Sequence, residues 1–232
     1  MDSIERIRIL IESRVPVIWL VGHEEERYLA LLGTLRRKIW RWTAANGLTR
    51  FAADTIPDKG TDITPGDVLR HVRLPATEPG IYVLCDFHQL LASNVLVGRM
   101  LRDTAQALRC QPGRTIIITA PLVAIPPELE KDIAIVRMPL PDRTVIDAHL
   151  GVVLATLEEH GRPVPLAPEH RRELEAGLAG LTLTEIDNAL AGSLVEHGDF
   201  PVHAIVAEKK NIIRNSELLE LPEPEPDITG LE

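Results

Sequence analysis

Aromatic side chains are scarce in this chain, since Phe, Trp and Tyr together make up only 3% of its residues. The hydrophobic content of 45% must therefore come mainly from Leu, Ile, Val and Ala. In a chain of 232 residues this is enough to bury a real core. The composition favours an α/β or an all-α architecture.

Cysteines and long apolar runs are also in short supply. The chain has two cysteines, Cys85 and Cys110, and Cys85 lies in an apolar run, where a thiol behaves as a small hydrophobe. No stretch approaches the ~20 apolar residues of a membrane span, and the N-terminus lacks the basic start and apolar run of a secretion signal. We therefore expect a cytoplasmic protein without membrane contact.

Positive charge is limited as well, because the net charge is −9 at pH 7. Nucleic acids are bound through clustered Lys and Arg, so we expect no nucleic-acid partner. The one basic stretch, residues 36–38 with Arg41, is predicted to line the wet face of a helix. Trp40 and Trp42 are predicted on different sides of that same helix.

Strand-like runs alternate with helical patterns through the first 140 residues. Short apolar runs predict strands at residues 17–21, 49–53, 81–85, 115–119 and 133–138. Helical periodicity predicts helices at residues 3–13, 24–45, 64–73 and 93–108. Strands alternating with helices predict a parallel, helix-covered sheet, and hence an α/β fold.

The pattern changes after residue 141, where only helical periodicity is found. Four helices are predicted, at residues 144–160, 168–179, 184–196 and 203–214. They would form a small helical bundle. Residues 222–227 alternate Pro with acids, a composition that cannot bury a core and is typical of an extended linker.

The loop after the first strand tests for nucleotide binding, because ligands of parallel sheets bind beyond the carboxyl ends of the strands. A phosphate loop reads G-x-x-x-x-G-K-[ST]: the glycines let N–H groups face the phosphates, Lys neutralises them and the hydroxyl holds Mg²⁺. Here the loop reads GHEEER from Gly22 through His23 and Glu24 to Arg27. The second glycine, the lysine and the hydroxyl are missing.

Three successive carboxylates, at residues 24–26, stand where a triphosphate would need positive potential. Two like charges ~4 Å apart cost on the order of 4 kcal/mol at a surface-like dielectric, so we expect weak phosphate binding. The alternative is that the acids favour the positive end of the helix they begin, which contributes ~0.3–1 kcal/mol each.

The strand at residues 81–85 is followed by Asp86, where an active ATPase places the first of two acids, one holding Mg²⁺ and one orienting water. Phe87 replaces the second acid, and a phenyl ring can do neither. Asp86 could also be a strand-end carboxylate bonded to nearby backbone. We expect no catalytic residue, and a degenerate ligand pocket formed by Gly22, His23, Glu24 and Asp86.

The eight histidines show no metal-site spacing. His23 and His88 both follow strands at one sheet edge and could converge with Asp86, but two histidines and one acid are a weak signal, and we expect no metal site. The G-x-S-x-G and G-x-G-x-x-G fingerprints are absent, so acyl transfer and dinucleotide binding lack support.

The chain resembles the N-terminal, degenerate AAA-type module of the two-module AAA ATPases found in cyanobacteria, plastid genomes and other bacteria. The similarity spans nearly the whole sequence and rests on short matches in a fixed order. They are residues 11–14, 24–27, 117–118, 125–129, 139–141, 181–186, 208–210, 213–214 and 228–232.

The resemblance implies a Rossmann-like AAA core over residues 1–140 with five parallel strands in the order 5-1-4-3-2. It further implies a helical lid over residues 141–218 and a linker over residues 219–232. The segment 228–232 looks like the opening of a second AAA module. That downstream module would carry ATP and Mg²⁺, whereas no cofactor is expected on this chain.

The expected function follows from the resemblance and from the missing phosphate-loop residues. The chain would be a non-hydrolysing module that serves assembly, partner docking or regulation of a larger ATPase. Its partners would be the downstream module, further copies of the same protein assembled through it, and an unidentified protein. The alternative is a module that senses a nucleotide or another small ligand in an unconventional pocket at the edge of strand one.

Overall fold

The computed structural model describes residues 2–51, 60–61 and 64–220. The chain divides into two compact units, Met1–Pro139 and Leu140–Glu232. No helix within the described ranges is both long and apolar enough to cross a membrane.

The first unit alternates helices and strands. Its helices are α1 (Ser3–Glu12), α2 (Glu25–Gly33), α3 (Pro65–Arg73), α4 (Phe87–Ser93) and α5 (Val95–Cys110), with a 3-10 turn at Pro127–Leu129. Its strands are β1 (Val17–Val21), β2 (Ile39–Thr43), β3 (Gly47–Arg50), β4 (Gly80–Cys85), β5 (Arg114–Ala120) and β6 (Ile133–Arg137).

These strands form one sheet in the order β3-β2-β4-β5-β1-β6. All neighbouring pairs are parallel except β2 and β3, which are antiparallel. The predicted α/β fold is confirmed, although the described sheet has six strands where five were predicted. The extra strand, β2, lies between β3 and β4, and the predicted order of the other strands is kept.

Both faces of the sheet are covered, which explains the uninterrupted apolar runs of its central strands. Along β1, Val17 and Trp19 pack into a core cluster with residues of α3 and α5. Ile18 and Leu20 point to the other face and pack against α1 and α2. The period of two residues in a strand thus divides one apolar run between two cores.

The predicted helix over residues 24–45 is wrong in its second half. The helix ends at Gly33, and β2 pairs with β3 in a hairpin in which Thr43 lies opposite Gly47. Gly47 has φ +71°, the left-handed conformation that a three-residue hairpin loop requires. Asn46 and Gly47 directly follow the predicted helix, and Asn and Gly are typical of helix ends as well as of turns.

Because of this hairpin, the neighbouring tryptophans and the basic stretch lie in positions that differ from those predicted for a helix. Trp40 and Trp42 lie on the same side of β2, and the prediction of different helix sides is wrong. Trp42 is fully buried and meets Phe87 edge-on, with ring centroids 5.4 Å apart. Arg41 lies on β2 and residues 36–38 precede that strand, so the predicted wet helix face is also wrong.

The helix predicted at residues 64–73 is observed as α3, whereas the helix predicted at residues 93–108 differs at its start. Thr64 caps α3, and its hydroxyl accepts a hydrogen bond from the Asp67 N–H at 3.1 Å, as the Thr-Pro pair predicts. The helix predicted at residues 93–108 is preceded by the separate helix α4. Asn94 lies between the two, and its side chain accepts the Leu96 N–H at 3.0 Å to begin α5.

The second unit is helical throughout its described part, as predicted. It contains α6 (Arg143–Glu159), α7 (Pro168–Leu178), α8 (Leu183–His197) and α9 (Val202–Glu220). Leu and Ile side chains of all four helices, with Phe200, form one core cluster. Thr182 and Glu185 form a capping box at the start of α8. The predicted linker at residues 222–227 and the segment 228–232 lie outside the described residues.

Candidate functional site

The loop that follows β1 is short. It comprises residues 22–24, because α2 begins at Glu25. The Gly22 N–H donates to the Ala120 carbonyl of the neighbouring strand β5 at 3.0 Å. The first residue of the loop is therefore still hydrogen-bonded to the sheet. A phosphate loop needs the length of the G-x-x-x-x-G-K-[ST] motif to curve round a phosphate. This loop passes directly into the helix.

Tyr28, in the first turns of α2, takes the space beside Gly22. A Cβ placed on Gly22 would lie 1.9 Å from the Tyr28 hydroxyl oxygen, and Tyr28 is only 2% exposed. Burial raises the pKa of Tyr28, while hydrogen bonds from the backbone of Glu24 and His23 to its phenol act in the opposite direction. The Tyr28 hydroxyl therefore lies against the backbone of this loop.

Glu24 is buried at 8% exposure and forms an ion pair with Arg27. The Arg27 guanidinium also donates to the Pro139 carbonyl at 2.9 Å. Removing a carboxylate from water is costly unless it is paired. The charge of Glu24 is thus neutralised next to the loop.

Glu25 and Glu26 are both bound by Arg41 of β2, with N–O distances of 2.7 Å each. Glu25 extends further across the sheet edge, where it accepts the Thr119 hydroxyl at 3.4 Å. Burial raises the pKa of the Cys85 thiol, and the negative charge of the Glu25 carboxylate raises it further. Glu25 therefore fills the carboxyl ends of β4 and β5.

These pairs revise the expected electrostatics. The negative charge of residues 24–26 was expected to repel a phosphate, but each carboxylate has an arginine partner. Glu25 and Glu26 also lie in the first turn of α2, as the alternative of a favourable helix end requires. The structure therefore places paired carboxylates at this edge.

Asp86 lies at the same edge of the sheet but in a different environment. It follows β4, is exposed, and has φ +52° and ψ +22°. Its N–H donates to the Thr119 carbonyl at 3.1 Å, whereas within the described chain its side chain forms no helix-cap hydrogen bond. The carboxylate is therefore open to solvent, about 10 Å from β1 across β5.

The two histidines near this edge differ in burial. His23 is exposed, while His88 in α4 is 8% exposed, and its Nδ1 has no hydrogen-bond partner in the described part of the chain. Among the residues that the structure describes, no group of three or more His, Cys, Asp or Glu side chains could hold a metal ion.

The residues of the sheet edge do not fit a magnesium nucleotide. The loop has no lysine, Tyr28 occupies its inner side, and Phe87 is fully buried in the core, where the second acid would be needed. The structure places Gly22, His23 and Glu24 together in the loop and Asp86 two strands away. Sequence analysis missed Tyr28, Arg41, Cys85 and Thr119, which complete this edge.

Two family models match the chain. One, described as the N-terminal domain of SpoVK-like AAA ATPases, matches residues 3–138. The other, described as the second domain of the same proteins, matches residues 146–216.

Similar proteins were also found among curated sequences and solved structures. The ycf46 AAA domain-containing protein of Guillardia theta is 28% identical over 242 residues, covering 100% of this chain and 46% of that protein. The ycf46 protein of Pyropia yezoensis is 24% identical over 228 residues, covering 95% and 44%. The FIGL-1 AAA domain in complex with ADP has a TM-score of 0.57 at 7% identity, covering 85% of this chain and 71% of that one.

The two kinds of similarity support different conclusions. The chain spans less than half the length of the curated relatives it matches. The likeness to the FIGL-1 domain is at too low an identity to carry function, so it shows the fold alone.

Proposed function

Because the chain belongs to the SpoVK-like AAA ATPase family, through its N-terminal and second domains, we propose that it is a non-hydrolysing module of a larger ATPase. Its role is in assembly, partner docking or regulation. ATP and Mg²⁺ then act elsewhere in the parent protein.

One observation carries this proposal: the place of the nucleotide is filled by the chain's own side chains. Tyr28 lies against the loop that would bind phosphates. Glu25 is held by Arg41 and the Thr119 hydroxyl at the ends of the neighbouring strands. A nucleotide would have to displace both groups and break their hydrogen bonds, without a lysine to compensate.

The length of the relatives supports a role within a larger protein, since this chain covers 46% and 44% of them. The proposed partners are a downstream AAA module, further copies of the parent protein assembled through that module, and an unidentified protein. A cytoplasmic location and the absence of nucleic-acid and membrane partners stay predictions from the sequence.

A calorimetric titration of the chain with Mg-ATP tests the proposal directly. We expect no saturable binding below millimolar concentration and no phosphate release in a parallel turnover assay. Saturable binding at micromolar Mg-ATP, with turnover that is lost when Glu25 or Asp86 is substituted, would contradict it.

A second candidate function, the sensing of a nucleotide or small ligand, is favoured by one observation. Asp86 is an exposed carboxylate in a left-handed conformation at the carboxyl edge of the sheet, the edge where such folds bind ligands. Amide NMR signals of Asp86 and Phe87 can be followed during titrations with ADP and with Mg²⁺. Saturable shifts that vanish in Asp86→Asn would support sensing, and unmoved signals would leave only the docking role.

A further inference from the structure

We propose that the Tyr28 hydroxyl is an internal ligand of the loop at residues 22–24, where it takes the position that an external oxyanion would need. The inference rests on the proposed function, because it explains why this module does not take a phosphate. In this proposal the Tyr28 side chain alone blocks the loop against an external oxyanion.

The direction of the side chain follows from its place in α2. The Tyr28 N–H donates to the Glu24 carbonyl at 3.0 Å, so Tyr28 belongs to the first hydrogen-bonded turn. Side chains of an α-helix point back toward its N-terminus and lie over the preceding turn. The phenol therefore reaches back over the loop from which the helix starts.

The contact with Gly22 leaves no room for a second group. A Cβ on Gly22 would lie 1.9 Å from the Tyr28 hydroxyl oxygen, 2.8 Å from Cζ and 3.1 Å from Cε2. A phosphate oxygen bound by the same N–H groups would need a heavy-atom distance of about 2.7–3.2 Å from them. Because the Tyr28 hydroxyl oxygen already lies against this backbone, the two oxygens would compete for one place.

The charge of the closed site also fits an internal ligand. A bound phosphate brings negative charge that the lysine of a phosphate loop balances, so a loop without lysine would bind phosphate only weakly. A protonated phenol brings none, and the nearby Glu24 is balanced by Arg27. The loop can therefore satisfy its N–H groups with no lysine in its sequence.

The first test removes the hydroxyl and keeps the ring. In Tyr28→Phe the His23 and Glu24 N–H groups lose an acceptor, and we expect their amide hydrogen exchange to accelerate by about tenfold or more. Tyr82→Phe is the matched control, because Tyr82 is the other tyrosine of the chain and is fully buried. Its hydroxyl donates to the Glu78 carbonyl at 2.6 Å, away from the loop. Unchanged exchange in Tyr28→Phe would overturn the proposal.

The second test opens the site. In Tyr28→Ala, titration with inorganic phosphate at constant ionic strength is expected to shift the His23 and Glu24 amide signals saturably in the millimolar range. The unmodified chain and Tyr82→Phe should show no such response. A folded Tyr28→Ala variant that ignores phosphate would overturn the proposal, and if that variant does not fold, the exchange rates of Tyr28→Phe decide.

Different results would contradict the proposed function and the proposed internal ligand. Tight Mg-ATP binding by the unmodified chain would defeat the proposed function and the internal ligand together. Unaltered exchange in Tyr28→Phe, with no ATP binding by the unmodified chain, would defeat the internal ligand alone.

Discussion

The carboxyl ends of β1 and β4 lie at one edge of the same sheet, yet their surroundings are opposite. After β1, the carboxylates at residues 24–26 are each held by an arginine, and Tyr28 fills the loop. After β4, Asp86 is exposed and, in the described chain, its side chain caps no helix. One half of this edge is internal structure, and the other half is open to solvent.

The sharpest test of the closed half is Gly22→Ala. The added Cβ would meet the Tyr28 hydroxyl at 1.9 Å, and Gly22 has φ +157°, so we expect a loss of about 2–3 kcal/mol in the free energy of unfolding. Gly33→Ala is the control, because no described heavy atom lies within 4 Å of its added Cβ. That change at the end of α2 should stabilise the chain by ~0.5–1 kcal/mol. Urea denaturation measures both.

A double-mutant cycle tests whether contact with Tyr28 causes the loss of stability in Gly22→Ala. Combining Gly22→Ala with Tyr28→Phe removes the atom that the new Cβ meets first. We expect a coupling free energy of ~0.5–3 kcal/mol between the two substitutions. Simple additivity would mean that Gly22 is needed for its backbone conformation and that contact with Tyr28 is not the cause.

The next effect in size concerns two adjacent acids of one helix turn. Glu25→Ala leaves Arg41 without one partner and removes the acceptor of the Thr119 hydroxyl, so we expect a loss of ~1–3 kcal/mol. Glu26 binds the same arginine, but its side chain is 69% exposed, and Glu26→Ala should cost less than ~1 kcal/mol. Both acids lie in the first turn of α2, so the helix-dipole contribution is similar and the difference reports the sheet-edge network. Equal losses in urea denaturation would show that the network adds no stability.

The central strands could be predicted from the sequence because burial on both faces leaves a short apolar run that no helix pattern explains. Val17–Val21 and Gly80–Cys85 are such strands. β2 was missed because Arg41 interrupts it and because its residues also fit a helical period. Arg41 can stay in a covered strand only because two glutamates of α2 bind it, and this pairing exists only in the folded chain.

The candidate site was predictable only where it is continuous in sequence. The absence of the phosphate-loop residues is visible in the sequence between Gly22 and Arg27. The position of Asp86 could be predicted because it directly follows an apolar run that is typical of a buried strand. The network of Glu25 joins residues of α2, β2, β4 and β5, which no local spacing reveals. Tyr28 had a local signal, since a large side chain in the first turns of a helix points back over the loop before it.

The smallest predicted effect tests the open half of the comparison. Because the Asp86 carboxylate is exposed and caps no helix within the described residues, Asp86→Asn should change the free energy of unfolding by less than ~0.5 kcal/mol. Asp67→Asn is a suitable contrast and should lose more, since Asp67 binds Arg70 at 2.6 Å and accepts the Thr64 hydroxyl at 2.5 Å. Urea denaturation of the two variants measures the difference. A large loss in Asp86→Asn would show that this carboxylate is structural, and the β4 end would then be as closed as the β1 end.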